Sequence, residues 1–409
     1  MNSAAILDDV MLQNIMQDSD YRQRFLDVAT KAAVSECLDV SDLTNVADGD
    51  PVVATVASLL AKAKRAAAQS DVSQRLALVV PMWREVRRLQ RKSEANPHGE
   101  NCAVEKLLAL DWLFSGTRTD WHVFFVDDDC PEGSGDVAAE VVTAAGFKER
   151  ATVLKLQGGY PYSSGPLSKL ATLEQSNKGG AVVLGCLAAV AEGFDIIGYT
   201  DCDNSIHAAQ LGLLLPILET SPVAIGNRWA SNPYSWFHPS REAFLDRLRI
   251  LFHIQRLLAV TTAFPDVVSP FKLFRREPLR LMLGDMDRFD FCFDFDLAGS
   301  ATKRSFAAQC EGVILFDSHL ETAWNHHGHA RIWYQKLNGM VSAARKFGLQ
   351  HNREAAALVD RYVRSAYDIS RILEAGPPSA ILEADLLDLG KTEVFSMADT
   401  EFYLSTVVV

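Results

Sequence analysis

The sequence lacks the features that would place the protein across a membrane or outside the cell. It has no apolar run of about 18 residues, the length that a membrane-spanning helix needs. Its first residues have neither the basic start nor the apolar stretch of a signal peptide. The seven cysteines form no C-x-x-C pair, and an odd number without regular spacing is typical of a reducing compartment. We therefore expect a cytoplasmic protein without integral membrane association.

Positive charge is also scarce, with 40 Lys and Arg residues against 52 Asp and Glu residues and a formal net charge of −12. Such a balance argues against general nucleic-acid binding, so we expect no nucleic-acid partner. The same charge repels anionic small molecules at long range, so a phosphate-bearing ligand would require a local cation or a basic pocket. The 409 residues are 48% hydrophobic, which is enough for a large core.

Short apolar runs alternate with helical patterns through the middle of the chain. This alternation predicts βαβ units, and hence an α/β fold with a mainly parallel, Rossmann-like sheet flanked by helices. In such sheets ligands bind outside the carboxyl ends of the strands. The predicted strands are Leu76–Val80, Trp121–Val126, Thr152–Leu156, Ile196–Thr200 and Val223–Arg228.

The pattern divides the chain into four units. Residues 1–74 have apolar residues at helical spacing and no catalytic pattern, which predicts an N-terminal helical extension. We expect this extension to pack on the main domain or on a second subunit, as in a homodimer. Residues 75–230 hold the strand–helix units, residues 231–345 form a second subdomain, and residues 346–409 form a C-terminal helical tail.

Three strands are predicted in the second subdomain, at Phe271–Phe274, Phe289–Leu297 and Gly312–Phe316. Alternating aromatic residues in Phe289–Leu297 indicate a half-buried strand, with Asp294 and Asp296 on one face. The pair is either catalytic or a structural pair of carboxylates.

Acidic residues follow two of the predicted strands of the main sheet. Asp127–Asp129 comes after the second strand, and Asp201 and Asp203 come after the run Ile196–Thr200. Two carboxylates one residue apart at a strand end can both reach a hard cation such as Mg²⁺ or Mn²⁺, which in turn binds substrate phosphates. The alternative is an acidic turn that closes the strand, since Asp and Asn are common turn residues.

Two other segments carry candidate ligands. Asn177-Lys-Gly-Gly180 opens a helix, where free N–H groups and the Lys178 cation favour a phosphate oxygen. The alternative is that these residues only form the turn before the helix. The segment Asn325-His-His-Gly-His329 has three histidines within four residues, and imidazole is compatible with a Mn²⁺-type site. The alternative there is a polar cluster that caps the following helix.

Six motifs in this order resemble those of the nucleotide-sugar-dependent glycosyltransferases of the GT-A fold. The pattern is similar to that of the dolichyl-phosphate sugar synthases and their family-two relatives, and it spans residues 76 to 320. The segment Asn325–Arg331 resembles the histidine-containing segment of the soluble glucosyl-3-phosphoglycerate and mannosylglycerate synthases. The six motifs are Val80–Glu85, Val126–Ser134, Asn177–Gly185, Asp201–Asp203, Gly226–Arg228 and Asp266–Arg276.

The resemblance implies a metal-dependent glycosyltransferase. Such an enzyme moves a sugar from a UDP- or GDP-sugar donor to a soluble small molecule with a hydroxyl or phosphate group. Residues 75–230 would then be the nucleotide-sugar-binding subdomain, and residues 231–345 the acceptor-binding subdomain. Since the chain has no membrane span, we expect a soluble acceptor and not a lipid.

Within the donor site, the resemblance implies roles for five residues. Pro81 and Glu85 lie at the end of the first strand, where Glu85 would contact the ribose or base. Asp128 would accept a hydrogen bond from the base. Lys178 and Gly179 would contact the diphosphate. Glu85 fits the family motif, whereas Arg84 stands where the motif has Asn.

The implied metal site centres on Asp203, with Mg²⁺ or Mn²⁺ as the cofactor. Asp201 would contact the metal through water or hold the ribose or sugar of the donor. A third ligand would come from His327 or His329. Of the two we favour His329, because it lies closest to the start of the next helix.

On the acceptor side, Arg228 would pair with a phosphate or an acidic acceptor, or else form a salt bridge within the protein. Asp294 and Asp296 would act as general base for the acceptor hydroxyl in an inverting enzyme, or position donor and acceptor in a retaining one. Asp129 and Pro270 replace glycines of the family motifs, which predicts altered sugar and acceptor pockets.

Two other functions fit parts of the pattern. A sugar-phosphate nucleotidyltransferase would normally carry a Gly-rich signature with a basic residue just after the first strand, where this chain has Pro81-Met-Trp-Arg-Glu85. A degenerate, non-catalytic protein that binds sugar nucleotides would not require an intact Asp201 and Asp203. The glycosyltransferase interpretation accounts for more of the motifs than either alternative.

Overall fold

The computed structural model describes residues 9–35, 40–69, 73–228, 235, 240–316 and 328–408. The chain begins with four helices: α1 (Asp9–Gln17), α2 (Ser19–Ser35), α3 (Val40–Val46) and α4 (Pro51–Gln69). Asp50 starts α4, because its Oδ1 accepts hydrogen bonds from the N–H groups of Val52 and Val53 at 3.0 and 3.1 Å. Pro51 occupies the first helical position, where its missing N–H is not needed.

A seven-stranded sheet forms the centre of the protein, in the order β3-β2-β1-β4-β6-β5-β7. Only β6 runs antiparallel to its neighbours, β4 and β5. The sheet is therefore mainly parallel, as the strand–helix alternation predicts. Its strands are β1 (Gln74–Met82), β2 (Thr119–Asp127), β3 (Ala151–Lys155), β4 (Ile196–Tyr199), β5 (Val223–Asn227), β6 (Lys272–Arg275) and β7 (Ala308–Gly312).

Helices cover both faces of the sheet and continue beyond it. Those that follow α4 within the described residues are α5 (Val86–Leu89), α6 (Cys102–Phe114), α7 (Ser134–Ala144), α8 (Gly179–Ala191), α9 (Ser240–Leu257), α10 (Arg276–Gly284), α11 (Phe293–Lys303), α12 (His329–Phe347), α13 (Arg353–Tyr362), α14 (Ala366–Ala375), α15 (Ser379–Glu383) and α16 (Met397–Val408). No helix in the described ranges combines the length and hydropathy that a membrane span requires.

Alternate residues of β1 enter two different hydrophobic cores, because successive side chains of a strand point to opposite faces. Leu76 and Leu78 join the core that includes α2, α4 and α6. Ala77 and Val79 join the core that includes α8, α10 and α11. The N-terminal helices thus extend the core on one face of the sheet, which is the first of the two arrangements expected for them.

Helix α8 packs closely on the other face. A Cβ added at Gly185 would lie 2.4 Å from Cγ1 of Val79, so only glycine allows this approach. A third core joins α9, α12, α13, α14 and α16 in the C-terminal half of the chain.

The predicted strand at Phe289–Leu297 is wrong, since Phe293 to Lys303 form helix α11. Residues 293–301 are all buried, so apolar residues occur on every face of the helix. The alternating aromatic residues therefore give the sequence pattern of a strand. In a helix of 3.6 residues per turn, Asp294 and Asp296 lie about 200° apart around the axis. The expectation that they share one face is therefore also wrong.

The predicted strand at Gly312–Phe316 is displaced, because the β7 ladder runs from Ala308 to Gly312. After Gly312, the N–H of Val313 still bonds to the carbonyl of Asn227 in β5 at 3.2 Å, but Ile314 bonds elsewhere. The side-chain amide of Gln210 accepts from the N–H of Ile314 at 2.7 Å and donates to its carbonyl at 3.0 Å. A side chain distant in sequence thus takes the place of a neighbouring strand.

Candidate active site

Three neighbouring parallel strands, β2, β1 and β4, end at the same edge of the sheet. Met82, the last residue of β1, lies opposite Asp127, the last residue of β2. Pro81 is buried within β1 opposite Val126. The segments that leave these strands carry the acidic side chains that the sequence predicts at this edge: Glu85, Asp128, Asp201 and Asp203.

Asp128 is buried directly after β2 and receives two hydrogen bonds. The hydroxyl of Ser176 donates to Oδ1, and the backbone N–H of Lys178 donates to Oδ2 at 2.6 Å. Burial raises the pKa of Asp128 to about 6, although both hydrogen bonds oppose the rise. The carboxylate thus anchors the loop that leads into α8.

Lys178 lies at the start of α8 and adopts a positive φ of 80°. Its ammonium group forms an ion pair with Oδ1 of Asp201. Burial alone would lower the pKa of Lys178, but Asp201, with Asp294 and Asp203 farther away, raises it. The next residue must be glycine, because a Cβ at Gly179 would lie 2.6 Å from the carbonyl oxygen of Phe289. A cation is therefore held at a helix N-terminus, facing the acidic strand end.

Glu85 and Asp203 share a buried arginine that the motifs do not include. Arg88 binds Glu85 with two hydrogen bonds, from Nε to Oε2 at 2.6 Å and from Nη2 to Oε1 at 2.7 Å. Its Nη1 lies 3.4 Å from Oδ2 of Asp203. Arg88 therefore links the segment after β1 to the segment after β4.

Asp203 is held by several further groups. The N–H of Ser205 donates to its Oδ1 at 3.1 Å, as does the Ser205 hydroxyl, and the ammonium of Lys106 donates to the backbone carbonyl of Asp203. Burial alone would raise the pKa of Asp203, but Arg88 and the Ser205 hydrogen bonds outweigh it and hold the pKa below its usual range. The side chain is therefore a carboxylate at neutral pH.

The two aspartates fit a hard divalent cation that is shared with a ligand. The side chains of Asp201 and Asp203 are 34% and 18% exposed, so both are partly accessible to a ligand from solvent. Among the described residues, no three His, Cys, Asp or Glu side chains lie together as a complete metal site. A cation here would take its remaining ligands from a diphosphate and from water, as Mg²⁺ commonly does.

The start of α12 lies against the Lys178 loop. Both Nη2 of Arg331 and Nε2 of Gln335 donate to Oδ1 of Asn177, at 3.1 and 3.0 Å. His329 is the first residue of α12, and partial burial lowers its pKa. The start of α12 thus lies beside the residue that precedes Lys178, whereas His327 lies outside the described residues.

Asp294 and Asp296 have separate surroundings. Oδ1 of Asp294 accepts from the ammonium of Lys272 at 2.9 Å and from the hydroxyl of Tyr199. Oδ2 of Asp296 accepts from Lys346 at 2.9 Å and from the N–H of Asp287 at 3.1 Å. The Asp294 carboxylate also helps to raise the pKa of Lys178.

Arg228, at the end of β5, forms the internal salt bridge that the sequence leaves open as an alternative. Its Nε and Nη2 each lie 3.0 Å from a carboxylate oxygen of Asp266. This planar, two-point contact orients the guanidinium group in one plane.

Sequence reasoning gave no individual role to five residues that contact these groups, although Asn177 and Lys272 lie within two of the motifs: Arg88, Lys106, Asn177, Tyr199 and Lys272. Arg88 follows Glu85 by three residues, a spacing that brings two helical side chains together and that signals an ion pair. The others carry no such local signal, since their partners lie in distant segments of the chain.

A mainly parallel sheet with carboxylates and a helix-borne lysine at its carboxyl edge is typical of an α/β protein that binds its ligand at that edge. Residues 103–282, under half of the chain, match the family model described as Glycosyl transferase family 2. Residues 103–282 are therefore similar to the family 2 glycosyltransferases, as the motifs predict.

The chain is similar to polyprenol monophosphomannose synthase of Mycolicibacterium smegmatis, with 24% identity over 188 residues. The match covers 46% of this chain and 63% of the relative, so the chain spans less than two thirds of that protein.

Among solved structures, the chain is similar to glucosyl-3-phosphoglycerate synthase from Mycobacterium tuberculosis. The complex with Mn²⁺, UDP and glucosyl-3-phosphoglycerate has 16% sequence identity and a TM-score of 0.42 over 69% of this chain and 83% of the other. The complex with Mg²⁺ and UDP has 15% identity and a TM-score of 0.43 over the same shares.

Proposed function

We propose that the protein is a metal-dependent glycosyltransferase that uses a UDP- or GDP-sugar as donor and a soluble small molecule as acceptor. The observation that carries the proposal is the convergence of Asp128, Lys178, Asp201 and Asp203 at one edge of the sheet. These side chains come from three separate segments. All three segments lie within residues 103–282, which match the family 2 glycosyltransferase model.

In the proposed donor complex, each group has a distinct task. Asp128 accepts an N–H of the base, which selects a nucleobase with a donor at its edge. Lys178 exchanges its contact with Asp201 for one with a phosphate oxygen, because a dianionic ligand is the stronger partner. Glu85 keeps Arg88 in place, and Arg88 in turn fixes Asp203.

Asp203 would hold Mg²⁺ or Mn²⁺, with Asp201 at the same cation or at the ribose of the donor. The cation, when bound, neutralises the diphosphate and so stabilises it as the leaving group. His329 is the proposed further ligand, since α12 begins beside Asn177, the residue before Lys178.

On the acceptor side, Asp294 is the stronger of the two catalytic candidates. The Asp294 carboxylate helps to raise the pKa of Lys178, whereas Asp296 forms an ion pair with Lys346 on the other side of α11. Asp294 would orient the acceptor hydroxyl or the transferred sugar. Arg228, oriented by Asp266, would attract a phosphate or carboxylate group of the acceptor.

The test is a calorimetric titration of the purified protein with UDP, GDP and ADP, each with and without Mn²⁺. We expect one of UDP and GDP to bind in a Mn²⁺-dependent manner, and we expect the corresponding nucleotide sugar to be slowly hydrolysed. Asp203→Ala should weaken the Mn²⁺-dependent binding by more than about tenfold.

The matched control is Asp195→Ala, which removes an aspartate at the opposite end of β4. Its Oδ2 accepts from the N–H of Arg75 at 2.9 Å, far along the strand from the cleft. This variant should bind nucleotide like the parent. If no nucleoside diphosphate binds in the presence of Mn²⁺, or if excess EDTA leaves transfer intact, the proposal is wrong. Binding without hydrolysis or transfer would indicate the non-catalytic alternative.

A further inference from the structure

The N-terminal helices reach the back of the turn that carries Asp201 and Asp203. Asn204, the next residue, is completely buried. Its side-chain amide donates to the backbone carbonyl of Met16 in α1 at 2.9 Å and to that of Glu100 at 2.8 Å. A residue of the acidic turn is thus bonded directly to the N-terminal extension.

Arg22 of α2 makes a second connection from the same side. Its Nη1 donates to the carbonyl of Ile15 at 3.1 Å and to that of Asn204 at 3.4 Å. Its Nε lies 3.4 Å from Oε2 of Glu105 in α6, and both side chains are buried. The hydroxyl of Ser19 completes the cluster with a 2.6 Å hydrogen bond to Oε1 of Glu105. A buried arginine therefore joins α1, α6 and the acidic turn.

The loop before α6 and α6 itself hold the turn from another side. The carboxylate of Glu100 accepts the N–H of Asn204 at 2.9 Å, and Lys106 donates to the carbonyl of Asp203. The backbone of the turn is thus bonded at the N–H of residue 204 and at the carbonyls of residues 203 and 204. Its shape depends on groups from both the N-terminal extension and the family 2 domain.

We propose that Asn204 and Arg22 are positioning residues, through which the N-terminal helices hold the Asp201–Asp203 turn in the geometry that a nucleoside diphosphate and its cation require. The inference rests on the proposed function, since it assigns that turn to the donor site. It extends the functional unit beyond the matched segment 103–282, because Met16 and Arg22 lie outside it. Neither residue touches the ligand.

The test compares Asn204→Ala and Arg22→Lys with Arg65→Met in the full-length protein. Arg65 is a matched control, because it also connects N-terminal helices through backbone carbonyls, those of Ala32 and Ala33 at 3.1 and 3.3 Å. None of the hydrogen bonds of Arg65 reaches the turn. Asn204→Ala removes two hydrogen bonds without leaving a buried charge, so this variant should fold.

Two measurements are made on each variant. Hydrogen–deuterium exchange of the peptide that covers residues 200–206 reports the order of the turn, and it requires no ligand. Titration with Mn²⁺ and the nucleoside diphosphate that binds the parent reports the donor site. We expect faster exchange confined to this peptide and about tenfold weaker binding in Asn204→Ala, with a smaller change in Arg22→Lys.

Arg65→Met should lower the melting temperature but leave both the exchange of residues 200–206 and the binding unchanged. If Asn204→Ala exchanges and binds like the parent, or if Arg65→Met weakens binding equally, the positioning role is wrong. Should the parent itself bind no nucleotide, the proposed function fails, whereas the exchange measurement still decides whether the N-terminal helices order the turn.

Discussion

Replacing Lys272 with methionine tests the most deeply buried charge pair of the site. Lys272 is completely buried, and its partner Asp294 is 6% exposed, with Nζ and Oδ1 2.9 Å apart. Methionine fills a similar volume but leaves the Asp294 carboxylate without its cation. Removal of one partner of a buried ion pair typically costs about 3–5 kcal/mol. That is a large part of the 5–15 kcal/mol by which a typical protein is stable.

The double variant Lys272→Met/Asp294→Asn removes the second charge as well. The amide still offers an oxygen to the hydroxyl of Tyr199, which bonds Asp294 in the parent. We expect the double variant to recover most of the loss and to remain within about 1–2 kcal/mol of the parent. The coupling between the two sites should therefore be at least about 2 kcal/mol.

Urea unfolding followed by circular dichroism measures the two single variants, Lys272→Met and Asp294→Asn, the double variant and the parent under the same conditions. Equal destabilisation of the single and double variants would refute the assignment of a coupled buried pair. The same proteins also separate two roles of Asp294. If the double variant is stable but inactive in transfer, Asp294 acts in the reaction, whereas recovery of activity with stability would show a structural carboxylate.

Three further predictions follow from the donor side of the cleft. Burial raises the pKa of Asp128 to about 6, so nucleotide affinity should fall by up to about tenfold per pH unit below 6, as the carboxylate gains a proton. Titrations from pH 5 to 8 measure this fall. In Asp128→Asn the fall should be smaller, because only protonation of the phosphate groups of the nucleotide would still lower the affinity. Gly179→Ala should weaken binding because its Cβ would lie 2.6 Å from the carbonyl of Phe289, whereas Gly284→Ala, where no atom lies within 4 Å, should not. His329→Ala should lower Mn²⁺ affinity in the presence of nucleotide; equal affinity would leave His329 a structural residue.

Much of the proposed donor site could be predicted from local sequence. The strands β1, β2 and β4 appear as short apolar runs, and each is followed by a charged segment. Since the carboxyl ends of parallel neighbours meet at one edge, the order of these motifs along the chain is enough to bring Asp128 and Asp201 together. Lys178 and Gly179 are equally local, because a helix start requires particular residues within a few positions.

The acceptor side could not be predicted in the same way. Alternating aromatics led to a strand for residues 289–297, although complete burial of α11 allows apolar residues on every face of the helix. As a result, the separation of Asp294 from Asp296 became apparent only in the folded chain. The salt bridge of Arg228 with Asp266 joins residues 38 positions apart, and the motifs contain both residues without indicating that they pair.

The sequence by itself determined the class of fold, the edge of the sheet where Asp128, Asp201 and Asp203 lie, and the lysine at the start of α8, because each depends on short-range patterns and on the fixed geometry of a parallel sheet. Only the tertiary structure decided what surrounds those residues. Lys272 meets Asp294 across 22 positions, and Arg22 meets Asn204 across 182. Contacts of this kind arise when separate helices and loops pack together, and no periodicity in the chain encodes which buried charge will face which partner.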